Sequence, residues 1–235
     1  MIVAGAAPDW RTFDSRDTLA ETLAKDVASS LTQAIAERGV AFLAVSGGST
    51  PGGMFRALSN AAIDWNKVVV TLIDERFVPE SSPRSNAALV RATLLQNRAR
   101  AAQFVPLYQP AGSVEEAATQ ASDILERLPW QLDVALLGMG VDGHTASFFP
   151  DAINLDSLLS PHERGYVLPV HALSAEERRL TLPLARIVAA GRVAVQIEGE
   201  EKRIVMQAAL APGATRPISA VFREGKKPIE IYWAP

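Results

Sequence analysis

The stretch Val40-Ala41-Phe42-Leu43-Ala44-Val45-Ser46-Gly47-Gly48-Ser49-Thr50-Pro51-Gly52-Gly53 decides the fold. Its first six residues form a continuous apolar run, short enough for a strand buried on both faces. The run breaks into a loop of serine, glycine and threonine, and a short helix is expected from Met54 to Ser59. Upstream, Asp14 or Ser15 caps a helix that runs to Arg38. Leu19, Leu23, Val27, Leu31 and Ile35 make its apolar stripe and Gly39 ends it. Helix, buried strand, glycine-rich loop and helix in succession are the unit of a parallel sheet covered on both faces.

The same alternation continues outward. Val68 to Ile73 reads as a second buried strand and ends in Asp74-Glu75-Arg76. Ser85 caps a helix through Gln96, Phe104 to Leu107 is a short strand, and Val114 to Leu128 is an acidic amphipathic helix. Leu132 to Leu137 is a third apolar strand that runs straight into Gly138-Met139-Gly140-Val141-Asp142-Gly143-His144. Short strands follow near Tyr166 to Val170, Arg179 to Leu182 and Val193 to Ile197, with a helix from Glu201 to Leu210 and a last strand from Ile229 to Trp233. No repeat or low-complexity linker interrupts the chain. Residues 1–235 are read as one α/β domain with a mostly parallel central sheet. In such sheets the ligand crevice is built by loops leaving the carboxyl ends of the strands, and the three most distinctive loops all leave strands at that end.

Composition narrows the function. With 48% hydrophobic and 21% charged residues, the 235-residue chain can fill a sizeable core. A net charge of -3 supplies no long-range field to gather nucleic acid or an anionic membrane, so an anionic substrate must be held by a few placed cations. The lack of cysteine excludes disulfides, thiolate metal sites and a cysteine nucleophile, and fits a reducing compartment. Met1 to Trp10 has no basic start or long apolar run, and no stretch is long enough to span a bilayer. Three histidines, His144, His162 and His171, argue against a multi-histidine metal centre. No residue pattern fixes an oligomeric state, and a monomer is the expectation.

The three loops carry the chemistry. Ser46, Gly47, Gly48, Ser49 and Thr50 offer backbone N–H groups and hydroxyls just ahead of a helix, a setting suited to phosphate. This is not a P-loop, because Gly53 or Met54 holds the lysine position. Ala44-Val45-Ser46-Gly47-Gly48 stands one residue from the nucleophile elbow of serine hydrolases, but an elbow leads directly into a helix and Pro51-Gly52-Gly53 delays one. Asp74, Glu75 and Arg76 are expected at the crevice rim. There Arg76 can make bidentate contacts with an oxyanion or phosphate, and one of the two acids is expected to pair with it. Gly138 to Gly143 satisfies the dinucleotide pattern G-x-G-x-x-G, with Glu163 at a suitable distance for a ribose contact. Thr145 to Pro150 leaves no room for the long helix which that pattern requires, so the dinucleotide reading is set aside. What remains is His144, with Asp142 two residues before it. An imidazole is the side chain best matched to proton transfer near neutrality. His162 and His171 are read as structural.

Ser46 through Pro51, Asp74-Glu75-Arg76-Phe77-Val78-Pro79 with Ser85-Asn86, Gly138 through Pro150, Arg179-Leu180-Thr181-Leu182 and Gly199-Glu200-Glu201-Lys202 resemble, in the same order, the 6-phosphogluconolactonases. The resemblance covers most of the chain. It implies a modified Rossmann-like three-layer α/β sandwich of the type shared with glucosamine-6-phosphate deaminases. It further implies hydrolysis of 6-phospho-D-glucono-1,5-lactone in the oxidative pentose phosphate pathway, in the cytoplasm, with no metal and no organic cofactor. His144 would be the general base that activates water, with Asp142 orienting it, and Arg76 and Asp74 would line the sugar site. The loop from Ser46 to Thr50, Arg179 and Lys202 would hold the phosphate.

Two alternatives stand beside this reading. The deaminase relatives resemble the chain around Asp142-Gly143-His144 but usually carry Asn and Glu shortly after the histidine, where this chain has Phe148 and Phe149. They also tend to have an aromatic residue in place of Arg76. A non-catalytic sugar-phosphate-binding module is the other alternative, though the chain has no segment to serve as its output.

Overall fold

The computed structural model describes residues 8–128 and 131–235. Of the N-terminal stretch read above, residues 1–7 lie outside the described residues. In chain order the elements are β1 (Pro8–Thr12), α1 (Arg16–Arg38), β2 (Ala41–Val45), α2 (Gly52–Ser59), β3 (Val68–Leu72), β4 (Asp74–Arg76), α3 (Asn86–Thr93), β5 (Gln103–Val105) and α4 (Val114–Glu126). They continue with β6 (Val134–Leu137), α5 (Leu155–Leu158), β7 (Leu168–Val170), β8 (Arg179–Thr181), α6 (Leu184–Val188), β9 (Arg192–Glu198), α7 (Glu200–Ala209), α8 (Pro217–Glu224) and β10 (Ile229–Ala234).

Seven strands form one sheet in the order β1-β10-β9-β6-β2-β3-β5, and every neighbouring pair is parallel. The expected α/β fold with flanking helices is the one observed. β2, β3 and β6 are buried along their whole length, which is why they read as unbroken apolar runs. α1 starts where Ser15 accepts the N–H of Thr18, and it stops at Gly39, whose φ of 78° lets its N–H reach back to the Ile35 carbonyl. Leu19, Leu23, Val27 and Leu31 are wholly inaccessible, each contributing about 1.5–3 kcal/mol relative to exposure. That face packs on α2, β2, β6 and β10. No helix among the described residues is long and apolar enough to cross a membrane.

The strand order fixes where a ligand can go. From β2 the chain steps outward through β3 to β5, then returns to the other side of β2 as β6 and steps outward through β9 to β10. The order of strand addition therefore reverses between β2 and β6, and the loops after these two strands diverge over a crevice. Ser46 N–H donates to the Leu136 carbonyl at 2.9 Å, so both loops leave from one level.

Several boundaries differ from the sequence reading. α2 begins at Gly52, two residues earlier than expected, with Pro51 as its N-cap. α3 ends at Thr93, short of Gln96, and a 3-10 turn covers Asn97–Ala101. β5 stops before Pro106, which has no N–H to offer a ladder. β1 and α8 were not anticipated. The segment after β3, expected as a loop, is a strand: Asp74–Arg76 forms β4 of a second, antiparallel sheet of order β4-β8-β7.

Candidate active site

A cleft of about 310 Å³ opens over the reversal between β2 and β6. Its walls are residues 46–51 after β2, residues 136–140 and 144–146 around the end of β6, and side chains from β4, β8, β9 and α7. Every site residue named from the sequence lines it, except Asp142.

Asp142 stands behind the histidine instead. Its Oδ1 accepts the backbone N–H of His144 at 3.1 Å and lies 2.6 Å from ring Nδ1. Burial pushes the Asp142 carboxyl upward, but the hydrogen bonds and charge of His144 outweigh it and hold the acid below its ordinary range. An ionised carboxylate can only accept, so Nδ1 carries the proton and Nε2 is left as the basic nitrogen. The loop is locked from both sides. Gly140 N–H donates to the His144 carbonyl at 2.9 Å, and Thr145 Oγ1 donates to the Gly138 carbonyl at 2.7 Å. Gly143, at φ +85°, gives its carbonyl to Ile218 N–H at 3.0 Å, and a Cβ there would fall 2.6 Å from Arg216 Cδ. A Cβ on Gly140 would lie 2.4 Å from two ring atoms of His144, so the imidazole occupies the space that this glycine leaves. After this loop no long helix follows; the next one, α5, has four residues, and the dinucleotide pattern has no structural counterpart.

The cationic wall comes from the small sheet. Arg76 of β4 and Arg179 of β8 are directly paired across the antiparallel ladder. Arg179 is 8% exposed, and its guanidinium lies 5.6 Å from the centre of the Phe149 ring. Burial pulls the Arg179 guanidinium down and Arg76 adds to this, while Asp74 and Glu177 push it back up. Nε of both arginines is buried without a partner. Such a donor costs about 1–3 kcal/mol until an acceptor meets it. Phe149 also packs against His144, with ring centres 4.8 Å apart, and so forms one surface under the imidazole and Arg179.

The expectation that one of the acids pairs with Arg76 is corrected here. The Arg76 guanidinium donates to the Arg84 carbonyl and to Asn86 Oδ1. Glu75 is not at the rim but fully buried, and it accepts from the N–H groups of Arg76, Asn86 and Ala87 at 2.7–2.8 Å and from Ser85 Oγ at 3.0 Å. Asp74 lines the cleft, but its Oδ2 takes the Ser147 hydroxyl at 2.6 Å.

The phosphate-type loop, residues 46–50, leaves the end of β2. Ser46 Oγ is buried without a partner, Gly48 sits at φ 92°, and the Thr50 carbonyl accepts from Gln196 Nε2 at 3.3 Å. Lys202, in the first turn of α7, reaches the same cleft. With its Oγ bonded to no residue, His144 included, Ser46 has no base prepared for it. Asn86, Gln196 and Phe149 line the cleft and were given no site role from the sequence. A glutamine inside the apolar run of β9 was a readable signal. Asn86 was concealed by looking like an ordinary residue after a helix cap.

Residues 14–233 match the family model described as glucosamine-6-phosphate isomerases/6-phosphogluconolactonase. A 6-phosphogluconolactonase of Mesorhizobium japonicum is 58% identical over 231 residues, spanning 98% of this chain and 97% of its own. One from Rhizobium meliloti is 49% identical over 225 residues, spanning 95% and 97%. Among solved structures, the crystal structure of a 6-phosphogluconolactonase from Shewanella baltica superposes with a TM-score of 0.94 at 37% identity, covering 100% of both chains.

Proposed function

The chain belongs to the glucosamine-6-phosphate isomerase/6-phosphogluconolactonase family, and from that premise we propose how its cleft hydrolyses 6-phospho-D-glucono-1,5-lactone to 6-phosphogluconate. One observation carries the reading: a histidine oriented by a carboxylate faces the same cleft as Arg76, Arg179 and Lys202.

His144 Nε2 takes a proton from water as the oxygen attacks the lactone carbonyl, and Asp142 stabilises the imidazolium that forms. Arg76, or backbone N–H groups of residues 138–143, stabilises the tetrahedral oxyanion. As the intermediate collapses, the bond from C1 to the ring oxygen breaks and His144 returns its proton to that oxygen. The carboxylic acid so formed ionises in water. Asp74 faces the sugar hydroxyls. Arg179, Lys202 and residues 46–50 hold the phosphate, whose binding energy sets the register of the distant reacting carbon. A phosphorylated sugar does not diffuse through a bilayer, so the enzyme would act in the cytoplasm, where sugar phosphates are made.

The test is hydrolysis of freshly prepared 6-phosphogluconolactone beside its unphosphorylated analogue and glucosamine 6-phosphate. Rapid turnover of the phosphorylated lactone alone is expected. Release of ammonia from glucosamine 6-phosphate would move the chain to the isomerase branch, and binding without turnover would make it a sensor.

A further inference from the structure

Asn86 has been given no part in the reaction, yet its side-chain amide is fully engaged at the centre of the site. It is the first residue of α3 and 3% exposed. Nδ2 donates to the Asp74 carbonyl at 2.8 Å, and Oδ1 accepts from Arg76 Nη1 at 3.0 Å. Its own N–H is held by Glu75 Oε1 at 2.8 Å. The amide also presses against the loop after β2: a Cβ on Gly47 would come within 1.9 Å of Oδ1 and 2.2 Å of Cγ. Gly47 is not among the glycines with positive φ, so what it supplies is room rather than a special backbone conformation.

We propose that Asn86 is a positioning residue that aims the Arg76 guanidinium into the cleft, and that position 47 is kept free of a side chain to admit it. The inference rests on the lactonase reading above and deepens it. Arginine has a long stem with many rotamers, and an unrestrained guanidinium would meet the substrate in many orientations. Nη1 carries two hydrogens; one goes to the Arg84 carbonyl and the other to Asn86. With both committed, the plane of the fork is fixed. Nε–H and Nη2 remain for an anionic oxygen, and Nε is the buried donor without a protein partner. Only a neutral amide fits this place. It must accept from Arg76 and donate to the Asp74 carbonyl at once. An aspartate there would set an oxygen against that carbonyl and neutralise the cation offered to the substrate.

The test is a double-mutant cycle of Asn86→Ala and Arg76→Ala, read as kcat/KM on fresh lactone with melting temperatures recorded for each protein. N86A is expected to lower kcat/KM about 10- to 100-fold when Arg76 is present. In the R76A background it should cost less than about 2-fold, since residues acting through one group are not additive. Equal losses in both backgrounds would overturn the proposal. Gly47→Ala provides the second arm and leaves the asparagine in the chain. It should reproduce the loss alone and add nothing to N86A, where the atoms it would strike are gone; a fully active G47A protein also overturns the proposal. The same cycle read by calorimetric binding of 6-phosphogluconate needs no turnover. A wild-type chain that binds this product but fails to hydrolyse the lactone removes the catalytic reading, while additivity or its absence in binding still decides for Asn86. Wild-type protein that does neither overturns both.

Discussion

Arg76 and Arg179 stand directly opposite each other in the β4–β8 ladder, where a sheet ordinarily gains by setting unlike charges side by side. Both are drawn into the wall of one cleft, and each keeps a buried Nε–H without an acceptor. Two like charges set side by side repel, and a bound phosphate or carboxylate would offset that repulsion and accept both Nε–H groups.

This relationship predicts a trade between stability and binding at Arg179. Arg179→Met should raise the stability of the ligand-free protein by about 1 kcal/mol, because a buried charge gives way to an apolar chain of similar length. Addition of 6-phosphogluconate should raise the melting temperature of the wild type, by about 2.7 kcal/mol equivalent at a hundredfold excess over Kd. The methionine variant should lose most of that response and show a raised KM. Thermal shift with and without ligand checks both statements, and a variant less stable than wild type in the absence of ligand contradicts the first.

His144→Ala should lower kcat by about 10²- to 10⁴-fold with a smaller change in KM, as expected for loss of a general base. Unchanged turnover would remove His144 from the chemistry.

Asp142→Asn should also lower kcat, because the amide no longer dictates which ring nitrogen keeps the proton. Its effect on stability has a definite sign. The Asp142 carboxyl is held low by His144, against burial. Its contribution is therefore present above the ordinary carboxylate value and is lost as pH falls through the depressed one. Unfolding midpoints measured from neutral pH into acid should decline more steeply for wild type than for D142N.

Gly140→Ala tests the fit of the imidazole. The added methyl would overlap the ring at 2.4 Å and Asp142 Oδ1 at 2.6 Å, so the ring must leave its position. A displacement of this size should reduce kcat by about 100-fold. Phosphate-bearing ligands should still bind, which calorimetry with 6-phosphogluconate would show.

Glu75→Ala should destabilise the protein by about 3 kcal/mol or more, since three N–H groups and a hydroxyl lose their acceptor inside the protein. Urea denaturation measures this. The pH dependence here runs opposite to that of Asp142. Burial raises the Glu75 carboxyl, and the hydrogen bonds it accepts pull it back only in part. Between the ordinary and the raised value the folded chain keeps a proton that the unfolded chain has released, so stability falls as pH rises through that window. Glu75→Gln should flatten that slope.

How much of this was legible beforehand depends on which interactions are local. α1 announced itself through Ser15, a periodic leucine stripe and Gly39, all within one segment. β2, β3 and β6 were plain because burial on both faces leaves only apolar residues. β1 was invisible: its Asp9, Trp10 and Arg11 carry no strand pattern, and its place is fixed by pairing with β10 and by ion pairs from Arg11 to Asp26 and Glu230. Asp74–Arg76 reads as a loop at the crevice rim and not as a strand, because both its ladder partner, β8, and the helix start that Glu75 caps lie elsewhere in the chain. His144 and Asp142 could be argued from two letters a single glycine apart in a glycine-rich loop. Arg179 and Lys202 could not; only the resemblance to a family brought them to the cleft, since nothing near either residue marks it as a ligand.

The second sheet has a wider consequence. Histidine and its carboxylate belong to one stretch after β6, whereas the paired arginines hang on β4 and β8, outside the main parallel array. The proposed base and the paired arginines thus sit on separate pieces of chain. A change within residues 138–144 can therefore shift the imidazole without breaking the β4–β8 ladder that carries the guanidinium pair.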